Sequence, residues 1–194
     1  MEIVILPLIA YCVGSISSAI IVCKAMGLSD PRTLGSNNPG ATNVLRIGGK
    51  KAAAITLLGD VLKGFLPVFA AKFATDNATT IAVVGGAAFL GHLFPLFFGF
   101  KGGKGVAAAL GVFIGTSLPV TLILMSVWLA VAVIFRYSSV AALTAATCAP
   151  LLVLWILPET AYFFLALFIG TLLFWRHKAN ISRFIAGNEN RIQW

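Results

Sequence analysis

Leu118-Pro119-Val120-Thr121-Leu122-Ile123-Leu124-Met125-Ser126-Val127-Trp128-Leu129-Ala130-Val131-Ala132-Val133-Ile134-Phe135 carries no charged residue from end to end. As a helix rising 1.5 Å per residue the run is ~27 Å long, close to the ~30 Å of bilayer hydrocarbon. Comparable runs recur along the chain. Of its 194 residues 59% are apolar and 10% charged, and the mean hydropathy is +0.98. A water-soluble fold of this size cannot bury so much apolar surface. The sequence predicts an all-α integral membrane protein, a single domain over 1–194 built as a seven-transmembrane-helix bundle. The expected spans are 3–24, 52–73, 79–98, 104–116, 118–135, 139–157 and 160–176, the fourth being short for a crossing.

Charge orients the bundle. Twelve of the fourteen lysines and arginines fall on one side of this arrangement: Lys24, Arg32, Arg46, Lys50, Lys51, Lys101, Lys104, Arg136, Arg176, Lys178, Arg183 and Arg191. The opposite loops carry Lys72, Asp76 and Glu159, and Lys63 lies inside a span. The positive-inside rule then places the N-terminus outside and the C-terminus in the cytoplasm. The first apolar run has Glu2 where a signal peptide would be basic, so it reads as a span. The net charge of +8 is divided among short loops, which argues for anionic lipid or phosphate and against nucleic acid. Cys12, Cys23 and Cys148 lie in apolar segments and read as small buried hydrophobes. The small-residue run Gly85-Gly86-Ala87-Ala88 and the Gly111/Gly115 pair suit close helix packing in lipid.

Three polar segments interrupt the apolar pattern, all on the basic side: 35–46, 99–105 and 176–183. In the first, Ser36, Asn37, Asn38, Pro39 and Gly40 form a turn entering a helix, with Arg46 available to grip phosphate in a fork. In the second, Gly102, Gly103, Lys104 and Gly105 open a helix whose N-terminal N–H groups favour an anion. It is not a Walker A loop, because Phe98 and Gly105 stand where that motif needs a glycine and a hydroxyl, so ATP hydrolysis is not expected. In the third, His177 and Asn180 share a face if the helix continues, and His177 is the side chain best able to take a proton near neutral pH.

The remaining polar groups point to support. Asp60 and Lys63, at i and i+3 within a span, can pair toward the bundle interior. His92 lies inside the membrane and reads as a packed, hydrogen-bonded residue, and Glu189 as the partner of Arg183 or Arg191 in a tail-closing salt bridge. Neither histidine begins the H-x-x-x-x-D of acyl-CoA acyltransferases, since Phe97 and Ser182 occupy the aspartate position. Asp30, Asp60 and Asp76 are too far apart for a metal pair, so no metal and no cofactor are expected. A transporter for a phosphorylated solute is the competing class, but it would place polar gates on both sides.

The three segments, with Gly91-His92-Leu93-Phe94-Pro95 and Asp60-Val61-Leu62-Lys63-Gly64, resemble the PlsY family of bacterial acyl-phosphate:glycerol-3-phosphate acyltransferases over nearly the whole chain. The resemblance implies a multi-pass enzyme of the bacterial plasma (inner) membrane, active at the cytoplasmic face, early in phospholipid synthesis. It implies transfer of a fatty acyl group from acyl phosphate to the sn-1 hydroxyl of glycerol 3-phosphate, giving lysophosphatidate and phosphate, without acyl-CoA. Its partners are then these two substrates and membrane lipid, with no obligate protein partner. By position, Ser36, His177 and Asn180 take catalytic roles. Arg46, Asn37, Asn38, Gly102, Gly103, Lys104 and Gly105 bind substrate phosphate, and Glu189, Asp60 and Lys63 support the site. One departure is Asn37, which stands where many members have glycine. No Ser-His-Asp or Cys-His arrangement is visible, so direct transfer is expected, the base being either His177 or a phosphate oxygen of the substrate.

Overall fold

The structure, a computed structural model, describes residues 2–192. Among the described residues it holds nine α-helices, one short 3-10 turn at Leu96–Phe98 and no strand. The chain divides into two compact units, Met1–Thr116 and Ser117–Trp194.

The first unit contains α1 (Glu2–Gly14), α2 (Ser18–Ala25), α3 (Ala41–Ala74), α4 (Ala78–Leu93) and α5 (Val106–Thr116). Its crossings are close because glycine removes the side chain where backbones meet. A Cβ on Gly14 would overlap the Ala88 carbonyl of α4, and one on Gly111 would overlap the Val61 carbonyl of α3. Such contacts replace the hydrophobic drive that lipid does not supply. The Gly111/Gly115 pair therefore packs α5 on α3, as its spacing suggests.

Of the expected spans, 3–24 is interrupted and 79–98 leaves the α-helix after Leu93, while a kink precedes 52–73. The run 3–24 breaks at residues 15–17, between α1 and α2. A break inside hydrocarbon leaves backbone groups that need partners, and Lys63 Nζ donates to the Ile16 carbonyl at 2.8 Å. In α3 the backbone leaves helical geometry at Gly49, φ 76°, so a short helix from Ala41 precedes the long apolar one. Glycine adopts that angle without penalty.

The second unit contains α6 (Leu118–Phe135), α7 (Ser138–Ile156), α8 (Thr160–Arg176) and α9 (Lys178–Ile185). Helix α7 packs on both α6 and α8, with Ala141, Ala142, Ala146, Ala149, Leu165, Ala166 and Ile169 buried between them. Helices α8 and α9 meet at a 57° bend at His177. Trp155, Leu151 and Ile134 are instead exposed, the inverse of a water-soluble fold and suited to lipid contact. Among the described residues five segments are long and apolar enough to cross a membrane, with α1 and α2 counted together and α4 counted with the 3-10 turn, or six if α8 and α9 count as one bent span; α5 is a shorter apolar helix.

Candidate active site

In the first unit the turn ahead of α3 is organised by one residue whose importance was not visible in the sequence. Asn43, 1% exposed, accepts the Ser36 N–H at 2.8 Å and donates from Nδ2 to the carbonyls of Pro31 and Leu34 at 2.8 and 2.9 Å. It stands at the third helical position, where a side chain that reaches back over the helix start is a known device. That position was the available signal. Asn37 takes φ 55°, a left-handed angle that asparagine tolerates better than other residues with a side chain. The departure from glycine at this position therefore keeps the turn.

Arg32 ties this turn down. It donates to Asp30 through Nη2 at 2.7 Å and Nε at 3.0 Å, and through Nη1 to the Phe98 carbonyl at 3.2 Å. Those hydrogen bonds from Arg32 hold the Asp30 carboxyl below its ordinary range, more than its partial burial raises it.

The second polar segment lies against the C-terminal end of α4 and leads into α5 at Val106. The Gly103 N–H donates to the His92 carbonyl at 3.3 Å. A Cβ on Gly103 would overlap His92 Nε2 and would stand 3.1 Å from the Pro39 carbonyl. Gly105, at φ 95°, has no room for a Cβ against the Phe89 ring. The first and second polar segments thus meet at Pro39 and Gly103. Gly102, Gly103 and Gly105 are buried, Lys104 and Asn38 are partly exposed, and Ser36, Asn37 and Arg46 are exposed.

Beneath the glycine loop lies a buried charged cluster. Lys63 Nζ is 2.9 Å from Asp60 Oδ1, the i,i+3 pair expected. His92 Nδ1 stands 3.6 Å from the same oxygen.

In the second unit the helix does not run straight through His177, yet His177 and Asn180 are both buried, 3% and 6% exposed. His177 Nδ1 lies 2.8 Å from the Leu173 carbonyl. A carbonyl only accepts, so Nδ1 carries a proton and donates it to this contact. The backbone carbonyl supplies the orientation that no carboxylate nearby in sequence could.

Asn180 Nδ2 donates to Glu189 Oε1 at 2.5 Å. Glu189 also accepts from Ser139 Oγ at 2.8 Å and from Arg183 Nε at 2.9 Å, so the Arg183 bridge forms as expected while Ser139 had no local sequence signal. Burial raises the Glu189 carboxyl, but these three hydrogen bonds and the Arg183 charge outweigh it and hold it below the usual glutamate value. An ionised carboxylate accepts only. It therefore fixes the Asn180 amide with Nδ2 inward, and Asn180 Oδ1 is buried without a hydrogen-bond partner among the described residues. Beside Asn180 an apolar groove of about 370 Å³ is lined by Leu143, Thr147, Cys148, Phe174 and Phe184. The Ile192 N–H donates to the Arg136 carbonyl at 2.6 Å, which ties the tail to the start of α7.

Long apolar helices interrupted by short irregular segments define an integral membrane protein. A family model described as glycerol-3-phosphate acyltransferase matches residues 4–187. The chain belongs to that family and is an acyltransferase. It is 53% identical to the glycerol-3-phosphate acyltransferase of Methylococcus capsulatus over 184 residues, 94% of this chain and 92% of that protein. The Halorhodospira halophila enzyme of the same name is 52% identical over 97% of this chain and 96% of its own. The fold matches a crystal structure of PlsY, an integral membrane glycerol 3-phosphate acyltransferase, in its glycerol 3-phosphate form. The TM-score is 0.94 and the identity 40%, covering 100% of this chain and 96% of that one.

Proposed function

We propose that the acyl donor is acyl phosphate and the acceptor the sn-1 hydroxyl of glycerol 3-phosphate. The supporting observation is the junction of two glycine-bearing loops at Pro39 and Gly103, each running into a helix N-terminus; Lys104 in the second loop and Arg46 in the second turn of α3 supply the cations. Both substrates carry phosphate, and backbone N–H groups at helix starts favour it. Gly102, Gly103, Gly105, Asn37 and Asn38 shape the cradle, and Ser36 adds a hydroxyl.

In the reaction the acceptor hydroxyl oxygen forms an ester bond to the acyl carbon, the acyl–phosphate C–O bond breaks, and phosphate leaves with the electron pair. The orphaned Asn180 Oδ1 suits a substrate hydroxyl that must be held for attack. A phosphate oxygen of the substrate takes the proton, and His177 orients the acceptor. His177→Gln should then keep much of the maximal rate while the acceptor KM rises; a loss in kcat beyond about a thousandfold at unchanged KM would make His177 the base. The groove beside Asn180 is apolar enough for the acyl chain.

The donor is tested with purified protein, labelled glycerol 3-phosphate and a chelator. Lysophosphatidate should form from acyl phosphate and not from acyl-CoA. An equal rate from acyl-CoA defeats the donor assignment, and loss with EDTA restored by a divalent ion defeats the metal-free reaction.

The polar segments are assigned to the cytoplasmic face of the bacterial inner membrane, with seven crossings and the N-terminus outside, on the distribution of lysine and arginine. In a cysteine-free background, Asp76→Cys should react with an impermeant thiol reagent from outside and Ser182→Cys only from inside. Labelling from the same face rejects the odd number of crossings.

A further inference from the structure

We propose that His92 is a positioning residue for the glycine loop, carrying the fixed geometry of the buried Asp60–Lys63 pair to the backbone of Gly103. The inference rests on the phosphate-cradle reading above.

A continuous series of polar contacts joins two irregular stretches of the first unit. It starts at the Ile16 carbonyl in the break between α1 and α2, which accepts from Lys63 Nζ at 2.8 Å. Lys63 pairs with Asp60 at 2.9 Å, and Asp60 Oδ1 lies 3.6 Å from His92 Nδ1. The other edge of the imidazole is where Gly103 packs, so closely that a Cβ there would overlap Nε2. Asp60, Lys63 and His92 are all buried.

Three ionisable side chains inside a membrane helix bundle are costly, and apolar residues of similar volume would often serve stability as well or better. What apolar residues cannot do is fix a single rotamer of His92. The Asp60 carboxylate stands 3.6 Å from one ring nitrogen, an electrostatic contact that favours the orientation in which the other edge faces the Gly103 backbone, and the same backbone donates its N–H to the His92 carbonyl. The loop is thereby referenced to α3 and α4 at a point one residue from Lys104. His92 contacts no reacting atom in this scheme; it sets where the loop N–H groups and Lys104 present themselves to a phosphate.

The test is steady-state kinetics of the full-length enzyme in detergent, with KM for each phosphorylated substrate, kcat and thermal unfolding measured for four variants. His92→Leu should raise the KM of whichever phosphate the loop holds by about tenfold or more while kcat stays within about threefold, because a phosphate contact made equally in ground and transition state is uniform binding, whose loss raises KM alone. His92→Gln, which retains a hydrogen-bonding group of similar reach, should recover most of that loss, and Lys104→Ala should raise the same KM. A rise for glycerol 3-phosphate places the loop on the acceptor, and a rise for acyl phosphate on the donor. Wild-type KM values in His92→Leu, with Lys104→Ala impaired, overturn the positioning role and leave the cradle standing. Wild-type KM values in Lys104→Ala overturn the cradle and the inference with it. A fall in kcat at unchanged KM also overturns it. If His92→Leu does not fold, His92→Asn decides: a raised KM supports positioning and a wild-type KM refutes it.

Discussion

Asp60→Ala is expected to destabilise the enzyme by about 3–5 kcal/mol, because it removes one partner of a buried charge pair and leaves the other uncompensated. Lys63, 6% exposed, would keep the Ile16 carbonyl as its hydrogen-bond acceptor among the described residues. The midpoint of thermal unfolding in detergent measures the loss. Asp60→Leu combined with Lys63→Leu should recover much of it, since removing both charges avoids burying a lone one. A single Asp60→Ala variant that unfolds at the wild-type temperature refutes the pair as a buried unit. Recovery of stability in the double variant without recovery of KM would separate the fold from the loop geometry.

The second large effect is kinetic. Lys104→Ala and Arg46→Ala should each lower kcat/KM by about one to two decades, the equivalent of roughly 1.5–3 kcal/mol for a lost charge-assisted contact. Neither side chain is buried, so unfolding temperatures should stay near wild type. Arg46→Lys should restore only part of the loss, because an ammonium cannot reproduce a planar fork on phosphate. Wild-type kinetics in both alanine variants would remove the phosphate role from both loops.

Helix content and most helix positions were legible because apolar length is a coarse property that survives small errors. Residues 118–135 form α6 over that same range. The break at residues 15–17 was not legible. Its serines and isoleucine suit an apolar helix, and the carbonyl it frees is answered by Lys63, distant in sequence. Local patterns carry no record of such a partner.

The candidate site divides in the same way. Glycine, lysine and helix-start chemistry are local, so residues 102–105 read directly as a loop opening a helix. The Asp60–Lys63 pair was readable from i,i+3 spacing. Asn43 and Ser139 were not singled out, because each is defined by what it reaches: three backbone groups for Asn43 and the Glu189 carboxylate for Ser139. The angle of Asn37 likewise became clear only from the backbone.

The spacing of Asp60 and Lys63 also bears on how the protein enters its membrane. Both charges sit on one helix, 2.9 Å apart, so they can neutralise one another as soon as α3 forms, before any neighbouring helix has arrived. A lone aspartate or lysine at mid-bilayer costs about 2.5–3.5 kcal/mol on insertion. As a local pair they present the insertion machinery with one dipolar patch in place of two separate ions. The imidazole of His92 follows later in the chain, when α4 is made. Biogenesis of the first unit therefore does not have to wait for its polar interior to be complete.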